Sequence, residues 1–187
     1  MTHYFITGAS AGIGAALATK LNKNKHHVSA VARRADRLAA LQQASDYFSG
    51  YQADVRDADA IADAVSDSVK TFGPVDVAIL NAGIYAPQDG CQITPSIYAE
   101  HMDVNYMGVV NGLAAIIPRM LAAGGGQVVI GYRQRQFRVA DLAALHAQRL
   151  ERLRAGDFVH QVAVDEHQAG AVVAAFDHVG VENLLVQ

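Results

Sequence analysis

Three glycines, separated by three residues and then by one, stand between an apolar run and a helix-like stretch near the start of the chain. Gly8 permits a tight turn, Gly12 lets the backbone approach a ligand with no Cβ in the way, and Gly14 allows close helix–strand packing. The N–H groups that begin the helix can then donate to phosphate oxygens. The spacing predicts a turn that holds the pyrophosphate of a dinucleotide; a glycine-rich turn without a ligand is the alternative.

Apolar runs and amphipathic stripes alternate along the chain after this turn. Strands separated by helices pair in parallel through right-handed crossovers, so the pattern predicts an α/β fold with a doubly wound parallel sheet in three α/β/α layers. The predicted strands cover residues 4–7, 27–32, 51–54, 77–80 and 127–130, and the predicted helices cover residues 12–24, 36–44, 58–72 and 96–122. Ligands bind beyond the carboxyl ends of such strands, so the residues that follow each strand are candidates for a site.

Ser10 lies inside the glycine turn and has two interpretations. In the first, Ser10 and Ile13 contact the dinucleotide together with the three glycines. In the second, the run Gly8-Ala9-Ser10-Ala11-Gly12 is a nucleophile elbow and Ser10 is the nucleophile of a hydrolase. That elbow normally follows several strands at the centre of a sheet, and a single strand precedes it here, so the first interpretation is preferred.

Two arginines, Arg33 and Arg34, follow the second predicted strand, the position that distinguishes NAD from NADP in dinucleotide sites. A carboxylate there accepts hydrogen bonds from the ribose hydroxyls and repels a 2′-phosphate, whereas arginine pairs with that phosphate. Neither Val31 nor Ala32 is acidic. The sequence therefore predicts NADP(H) in preference to NAD(H); two solvated arginines that cap a loop are the alternative.

Small or polar residues also follow the third and fourth predicted strands. Asp54 and Val55 are placed to meet the adenine, and the Asp54 carboxylate could accept a hydrogen bond from its amino group. The alternative is that Asp54 is a helix cap or turn former. Asn81, Ala82 and Gly83 end the fourth strand, where small residues let a ribose pack on the backbone and Asn81 can brace neighbouring strands. An ordinary turn is the alternative for these three residues.

These motifs, with one more on the long helix, resemble the short-chain dehydrogenase/reductase family over about residues 3–130. In order they are Thr7-Gly8-x-x-x-Gly12-Ile13-Gly14, Ala32-Arg33-Arg34, Asp54-Val55, Asn81-Ala82-Gly83 and Val104-Asn105-x-x-Gly108. The resemblance implies a Rossmann fold and an NADP-dependent oxidoreductase that moves hydride between the nicotinamide and a carbonyl or alcohol carbon. It also implies that Asn105 holds a water in a proton relay; a buried polar residue within a helix is the alternative.

The resemblance stops after the fifth predicted strand. The family's chemistry uses a Ser there, then a Tyr followed four residues later by a Lys, to orient the carbonyl and move the proton. In this sequence the last Ser is Ser96, the last Lys is Lys70, and Gln136 stands four residues after Tyr132. Weak or absent turnover is therefore predicted, with a catalytically silent NADP(H)-binding or interaction protein as the alternative.

Residues 131–187 differ in composition from the rest, with no Ser, Thr or Lys and six of the eleven Arg. One hypothesis is a shifted reading frame. When residues 131–137 are translated back into degenerate codons and the first nucleotide is dropped, the shifted codons permit Val, Ile, Gly, Ser, Val, Ser and Ser, which resembles the family after its fifth strand. The other hypothesis is a genuine divergent tail. The pattern predicts a helix over 140–154, a strand over 158–164, a helix over 166–178 and a short end strand. Residues 1–187 are thus predicted to form a single domain, family-like over 1–130 and atypical over 131–187.

Composition narrows the class of partner. A net charge of −3 argues against nucleic acid or an anionic membrane surface, and no run approaches the roughly 20 apolar residues of a membrane span. Cys91 is the single cysteine and the first residues do not resemble a leader, so a cytoplasmic location is predicted. No metal-ligand spacing is found. The family resemblance implies a possible homodimer through the helix over 96–122.

Overall fold

A seven-stranded sheet with the order β3-β2-β1-β4-β5-β6-β7 organises the protein, as described by a computed structural model over residues 1–42, 45–88, 93–132, 158–165 and 172–175. The strands are β1 His3–Thr7, β2 His27–Ala32, β3 Phe48–Gln52, β4 Val77–Leu80, β5 Gly125–Tyr132, β6 Phe158–Asp165 and β7 Val172–Ala175. The helices are α1 Gly12–Lys23, α2 Ala35–Gln42, α3 Ala58–Phe72, α4 Pro95–Met102 and α5 Gly108–Ala122, with a π-helical segment, Asp103–Met107, between the last two.

The first five strands are parallel, and the chain order reverses around β1. Thr7, the last residue of β1, stands beside Val31 of β2 on one side and Leu80 of β4 on the other. The carboxyl ends of these strands therefore meet at one edge, and the reversal leaves a crevice there. The predicted doubly wound parallel sheet is confirmed.

Two hydrophobic cores cover the two faces of the sheet and make the three layers. Successive side chains of a strand point to opposite faces, so Phe5 and Ile6 of β1, both fully buried, enter different cores. Phe5 packs in the core that contains residues of α3 and α5, such as Ile116. Ile6 packs in the core that contains Leu17 of α1 and Leu38 of α2. This double burial holds β1, and the turn that follows it, at the centre of the molecule.

The third predicted strand is displaced, whereas the long helix predicted over 96–122 is confirmed in its extent and differs only in its internal geometry. The third strand covers Phe48–Gln52 rather than 51–54, because buried Phe48 anchors its start in the core, and Asp54 consequently lies in the loop beyond the strand. The helix predicted over 96–122 begins at Pro95 and contains the π-helical segment. Pro118 lies inside α5, which continues to Ala122.

The sheet changes character after β5. Strand β6 confirms the strand predicted over 158–164, and it pairs with β5 in the antiparallel sense. The helix predicted over 166–178 is wrong for Val172–Ala175, which form strand β7 and pair antiparallel with β6. Adjacent β-branched Val172 and Val173 favour a strand once a partner edge is present. The helix predicted over 140–154, the rest of 166–178, residues 43–44 of the second predicted helix and Cys91 lie outside the described residues.

Candidate functional site

The turn between β1 and α1 is packed so tightly that two of its positions require glycine. Gly8 has a φ of +70°, and a Cβ there would lie 2.7 Å from the Cα of Ala82. A Cβ on Gly14 would lie 2.5 Å from the carbonyl oxygen of Gly8 and 2.7 Å from Nδ2 of Asn81. Both distances are far inside van der Waals contact. The first and third glycines therefore fix the turn against the loop after β4.

The middle glycine of the turn faces open space instead. Gly12 has a φ of +57°, and nothing lies within 4 Å of the Cβ that it lacks. The helix that begins there has no side-chain cap on Ala11 and no acid in its first turn, while neighbouring Ile13 is 47% exposed. Uncapped N–H groups at a helix start, with the positive end of the helix dipole, suit an anion. The open cradle fits the pyrophosphate of a dinucleotide.

Thr7 joins this turn to the loop after β4. Its buried hydroxyl accepts hydrogen bonds from the backbone N–H groups of Asn81, at 3.0 Å, and Ala82, at 3.1 Å. The Asn81 amide also donates to the Thr7 carbonyl at 3.4 Å, so Asn81 does brace β4 against β1. Gly83 follows as an exposed residue at the same edge. The predicted pyrophosphate and ribose positions are thus held as one unit.

Arg34 lies beside the glycine turn. Its Nε and Nη2 atoms donate to the hydroxyl oxygen of Ser10, over 3.2 Å and 3.0 Å. Ser10 thereby holds the guanidinium at the junction of the turn and the end of β2. This contact places a fixed positive charge next to the open cradle at Gly12.

Arg33 points to a second group of charges at the end of β3. Its Nη1 lies 3.8 Å from Oδ2 of Asp54, and its side chain is 59% exposed. The Asp54 carboxylate accepts from Arg56, whose Nη2 lies 2.6 Å from the same oxygen. The hydrogen bond from Arg56 is the main reason that the pKa of Asp54 is lowered. Acceptance from the adenine amino group, which would have to share these oxygens with Arg56, stays a prediction.

Asn105 ties the π-helical segment to the loop after β4. The backbone N–H of Ile84 donates to Oδ1 of Asn105 at 2.8 Å, and Nδ2 of Asn105 donates to the Ile84 carbonyl at 2.9 Å. π-Helical turns inside α-helices are frequent at functional sites. Both polar atoms of the side chain are engaged by Ile84, and the water contact implied by the family resemblance stays a prediction.

Val55 occupies the floor of the site rather than its surface. Its side chain is 8% exposed and packs against α5, where a Cβ on Gly108 would lie 2.6 Å from Cγ2 of Val55. The Val55 carbonyl accepts from Nδ2 of Asn111 at 2.9 Å. The structure thus gives Val55 a packing role, and its predicted contact with the cofactor stays a prediction.

Sequence reasoning missed three residues that shape this edge: Thr7 as a clamp, Arg56 as the partner of Asp54, and Asn111 as the partner of Val55. A threonine at the last position of a strand, and an arginine two residues after an acid, were the available signals. Asn111 gave no signal, because its contact spans 56 positions of the sequence.

Other features of the described residues lie apart from this site. An apolar groove of about 320 Å³, lined by Val69, Pro74, Ile116 and Met120 among others, opens at the amino ends of the strands, opposite the glycine turn. Within the described ranges, no group of three or more His, Cys, Asp or Glu side chains is placed to hold a metal. The described helices are each too short or too polar to cross a membrane.

The comparison with protein families decides the identity of the fold and the site. The model of the short chain dehydrogenase family matches residues 2–131, which is more than half of the chain. This chain belongs to that family. Short-chain dehydrogenases are oxidoreductases that use nicotinamide dinucleotide cofactors, and the resemblance inferred from the five motifs is confirmed.

Three relatives illustrate the range of the family. The chain is 36% identical to 3-dehydrosphinganine reductase TSC10B of Arabidopsis thaliana over 128 residues, which are 66% of this chain and 38% of that protein. A probable NADP-dependent dehydrogenase of Haemophilus influenzae is 30% identical over 130 residues, 68% of this chain and 52% of its own. A crystal structure of 3-ketoacyl-(acyl-carrier-protein) reductase from Brucella melitensis, complexed with NADH, superposes with a TM-score of 0.62 at 27% identity, covering 66% of this chain and 52% of that one. The matches thus span between about a third and a half of each relative.

Proposed function

We propose that residues 1–187 form a single Rossmann-type domain, family-like over 1–130 and atypical over 131–187, that binds NADP(H) in preference to NAD(H). The glycines and Ile13 would hold the pyrophosphate. Arg33 and Arg34 would hold the 2′-phosphate, with Ser10 contacting the cofactor on that side through its hydrogen bonds from Arg34. The residues after β3 and β4 would hold the adenosine. When bound, the cofactor supplies hydride exchange at the nicotinamide with a carbonyl or alcohol carbon. The net charge of −3 and the single cysteine support a cytoplasmic protein without a nucleic-acid partner.

The position of the two arginines carries the NADP(H) preference. Both follow β2 directly, neither stands next to an acid in sequence, and Ser10 fixes one of them beside the open turn. Guanidinium groups pair strongly with phosphate, whereas the ribose hydroxyls of NAD(H) are best met by an acid. One relative is a probable NADP-dependent dehydrogenase and another was crystallised with NADH, so the preference rests on these residues.

Replacement of Arg33 by Ala tests this preference. We expect the dissociation constant for NADPH to rise about tenfold, the low end of the range for a charged hydrogen bond because the side chain is exposed, while that for NADH changes little. Quenching of protein fluorescence or NADPH fluorescence on titration measures both constants. Arg37→Ala is the matched control, since Arg37 is equally exposed but contacts Asp36 on its own helix. An equal rise in the dissociation constants for NADPH and NADH would show that Arg33 does not bind the 2′-phosphate.

Turnover by this chain is proposed to be weak or absent. The sequence after β5 contains no Ser and no Tyr followed four residues later by Lys. General acid–base help alone is worth about 10²–10⁴ in rate, and the missing cation and carbonyl donor lower the rate further. NADPH that binds but is not oxidised on a panel of aldehydes and ketones is the expected result. Steady oxidation of NADPH with any carbonyl would show that another residue donates the proton.

A homodimer through the helix from Pro95 to Ala122 completes the proposal. Met102, Tyr106 and Met107 leave large apolar surface exposed on this helix, at 56%, 59% and 43%. Such a cluster is best covered by a second copy of the same face. Sedimentation equilibrium is expected to give twice the chain mass of 19.9 kDa, and the chain mass alone would exclude the dimer.

A further inference from the structure

The carboxylate of Asp54 lies between two guanidinium groups. Arg56 surrounds it: its backbone N–H and Nε reach Oδ1 at 3.0 Å and 3.1 Å, while Nε and Nη2 reach Oδ2 at 3.1 Å and 2.6 Å. Arg33 approaches Oδ2 from the end of β2, at 3.8 Å, which is beyond hydrogen-bond distance. A carboxylate has about four acceptor positions, so Arg56 takes most of what Asp54 offers.

Asp54 is charged at neutral pH. Its pKa is lowered, first by the hydrogen bond from the Arg56 side chain and to a smaller extent by the charge of Arg33. The pKa of Arg56 is raised by Asp54, with smaller contributions from Glu100 of α4 and Asp103 of the π-helical segment. The edge of the site therefore holds a permanent negative charge within 4 Å of an arginine proposed to bind phosphate.

A carboxylate in this position opposes binding of a 2′-phosphate in two ways. It competes with the phosphate for the Arg33 guanidinium, and it repels the phosphate dianion directly. Both effects are absent for NAD(H), which has no 2′-phosphate. Arg56 counteracts both, because it supplies a positive charge and occupies the acceptor positions that Arg33 would otherwise use.

We propose that Arg56 is a positioning residue for cofactor choice: it neutralises Asp54 and keeps the Arg33 guanidinium free for the 2′-phosphate of NADP(H). Arg56 acts through Asp54 and need not contact the phosphate itself. The inference rests on the proposed preference for NADP(H), and it identifies a residue outside the pair of arginines that sequence reasoning singled out.

Equilibrium binding to a set of variants tests the proposal. The measured quantity is the ratio of the dissociation constants for NADH and NADPH, obtained by fluorescence titration; the ratio cancels contacts that the two cofactors share, including any contact with adenine. Arg56→Gln is expected to lower this ratio about fivefold, by weakening NADPH alone. Arg56→Lys keeps the charge without the two-nitrogen grip and is expected to lie between Arg56→Gln and the native protein.

Removal of the Asp54 carboxylate tests whether Arg56 acts through Asp54. Asp54→Asn, alone or combined with Arg56→Gln, is expected to keep the ratio at or above the native value, because no carboxylate remains for Arg56 to neutralise. Arg37→Gln removes the same charge from another exposed arginine and is expected to leave the ratio unchanged. Circular dichroism and the thermal midpoint confirm that each variant is folded.

The outcomes separate the inference from the proposed function. If Arg33→Ala abolishes the NADPH preference but Arg56→Gln leaves the ratio intact, Arg56 has no role and the NADP(H) proposal stands. A ratio that falls in Arg56→Gln and is not restored by adding Asp54→Asn also overturns the inference, since Arg56 would then act directly on the ligand. A native protein without preference for NADPH overturns both.

Discussion

The turn after β1 and the ends of β2 and β3 lie side by side, yet they offer a ligand different chemistry. The turn offers backbone: Gly12 is bare, nothing stands where its side chain would be, and the helix behind it has no side-chain cap. The neighbouring strand ends offer charge, as Arg33, Arg34 and the Asp54–Arg56 pair. A pyrophosphate is common to NAD and NADP, so the turn can bind both equally. Discrimination between them has to come from the charged side.

The largest effect expected from this difference is that of Gly12→Ala. A methyl group would enter the space where the phosphates are proposed to lie, and overlap of this size costs about 1–3 kcal/mol, or roughly fivefold to somewhat over a hundredfold in affinity. NADPH and NADH should weaken by the same factor, because the turn does not meet the 2′-phosphate. Fluorescence titration with both cofactors measures the two factors.

Gly73→Ala is the matched control for backbone strain. Gly73 also has a positive φ, +83°, and open space around its missing Cβ, but it ends α3 at the opposite edge of the sheet. Both variants should lose roughly 1–3 kcal/mol of unfolding free energy, because each places a non-glycine residue at a positive φ. Only the change at Gly12 should weaken binding. Unchanged affinity in Gly12→Ala, or a strong bias toward one cofactor, would break the comparison.

Added salt is expected to weaken binding at the charged strand ends more than at the glycine turn, with an effect smaller than that of Gly12→Ala. The charged groups are exposed, with 59% of the Arg33 side chain accessible, and exposed charges are screened as the Debye length falls from about 14 Å at 0.05 M salt to about 4 Å at 0.5 M. The advantage of NADPH over NADH is expected to shrink about threefold to fivefold over this range. A parallel decline of both affinities would place the main electrostatic contact at the shared pyrophosphate instead.

The same contrast explains what could be predicted from the sequence. The turn is encoded locally: three glycines with a strand before and a helix after leave few alternatives, and its geometry agrees with the prediction at Gly8 and Gly14. The charged side depends on where side chains from different strands point. The sequence placed Asp54 within the strand and free to meet adenine, whereas burial of Phe48 shifts the strand and Arg56 occupies the carboxylate.

The region after β5 shows the limit of periodicity more plainly. The stretch over 166–178 carries a helix-like pattern, yet Val172–Ala175 forms a strand against β6. Four residues are too few for the spacing of apolar residues to distinguish a helix from a strand. Pairing with an available sheet edge then outweighs a weak helical preference. The strand predicted over 158–164 is confirmed, because its three β-branched valines favour the same structure that the edge of β5 offers.

Ser10→Ala is expected to have the smallest effect, and it tests where the two parts meet. Ser10 belongs to the turn by sequence, but its hydroxyl accepts from Arg34 and so serves the charged side. Both hydrogen bonds from Arg34 to this hydroxyl are exposed, and their joint loss is worth about 0.5–1 kcal/mol, so NADPH should weaken about twofold to fivefold while NADH binding is retained. Ser10→Thr keeps a hydroxyl at this position and is the control that should retain most of the NADPH affinity. Equal weakening of NADH and NADPH in Ser10→Ala would instead show that the hydroxyl contacts the pyrophosphate that both cofactors share. Ser10 would then belong with the backbone of the turn rather than with the charged groups.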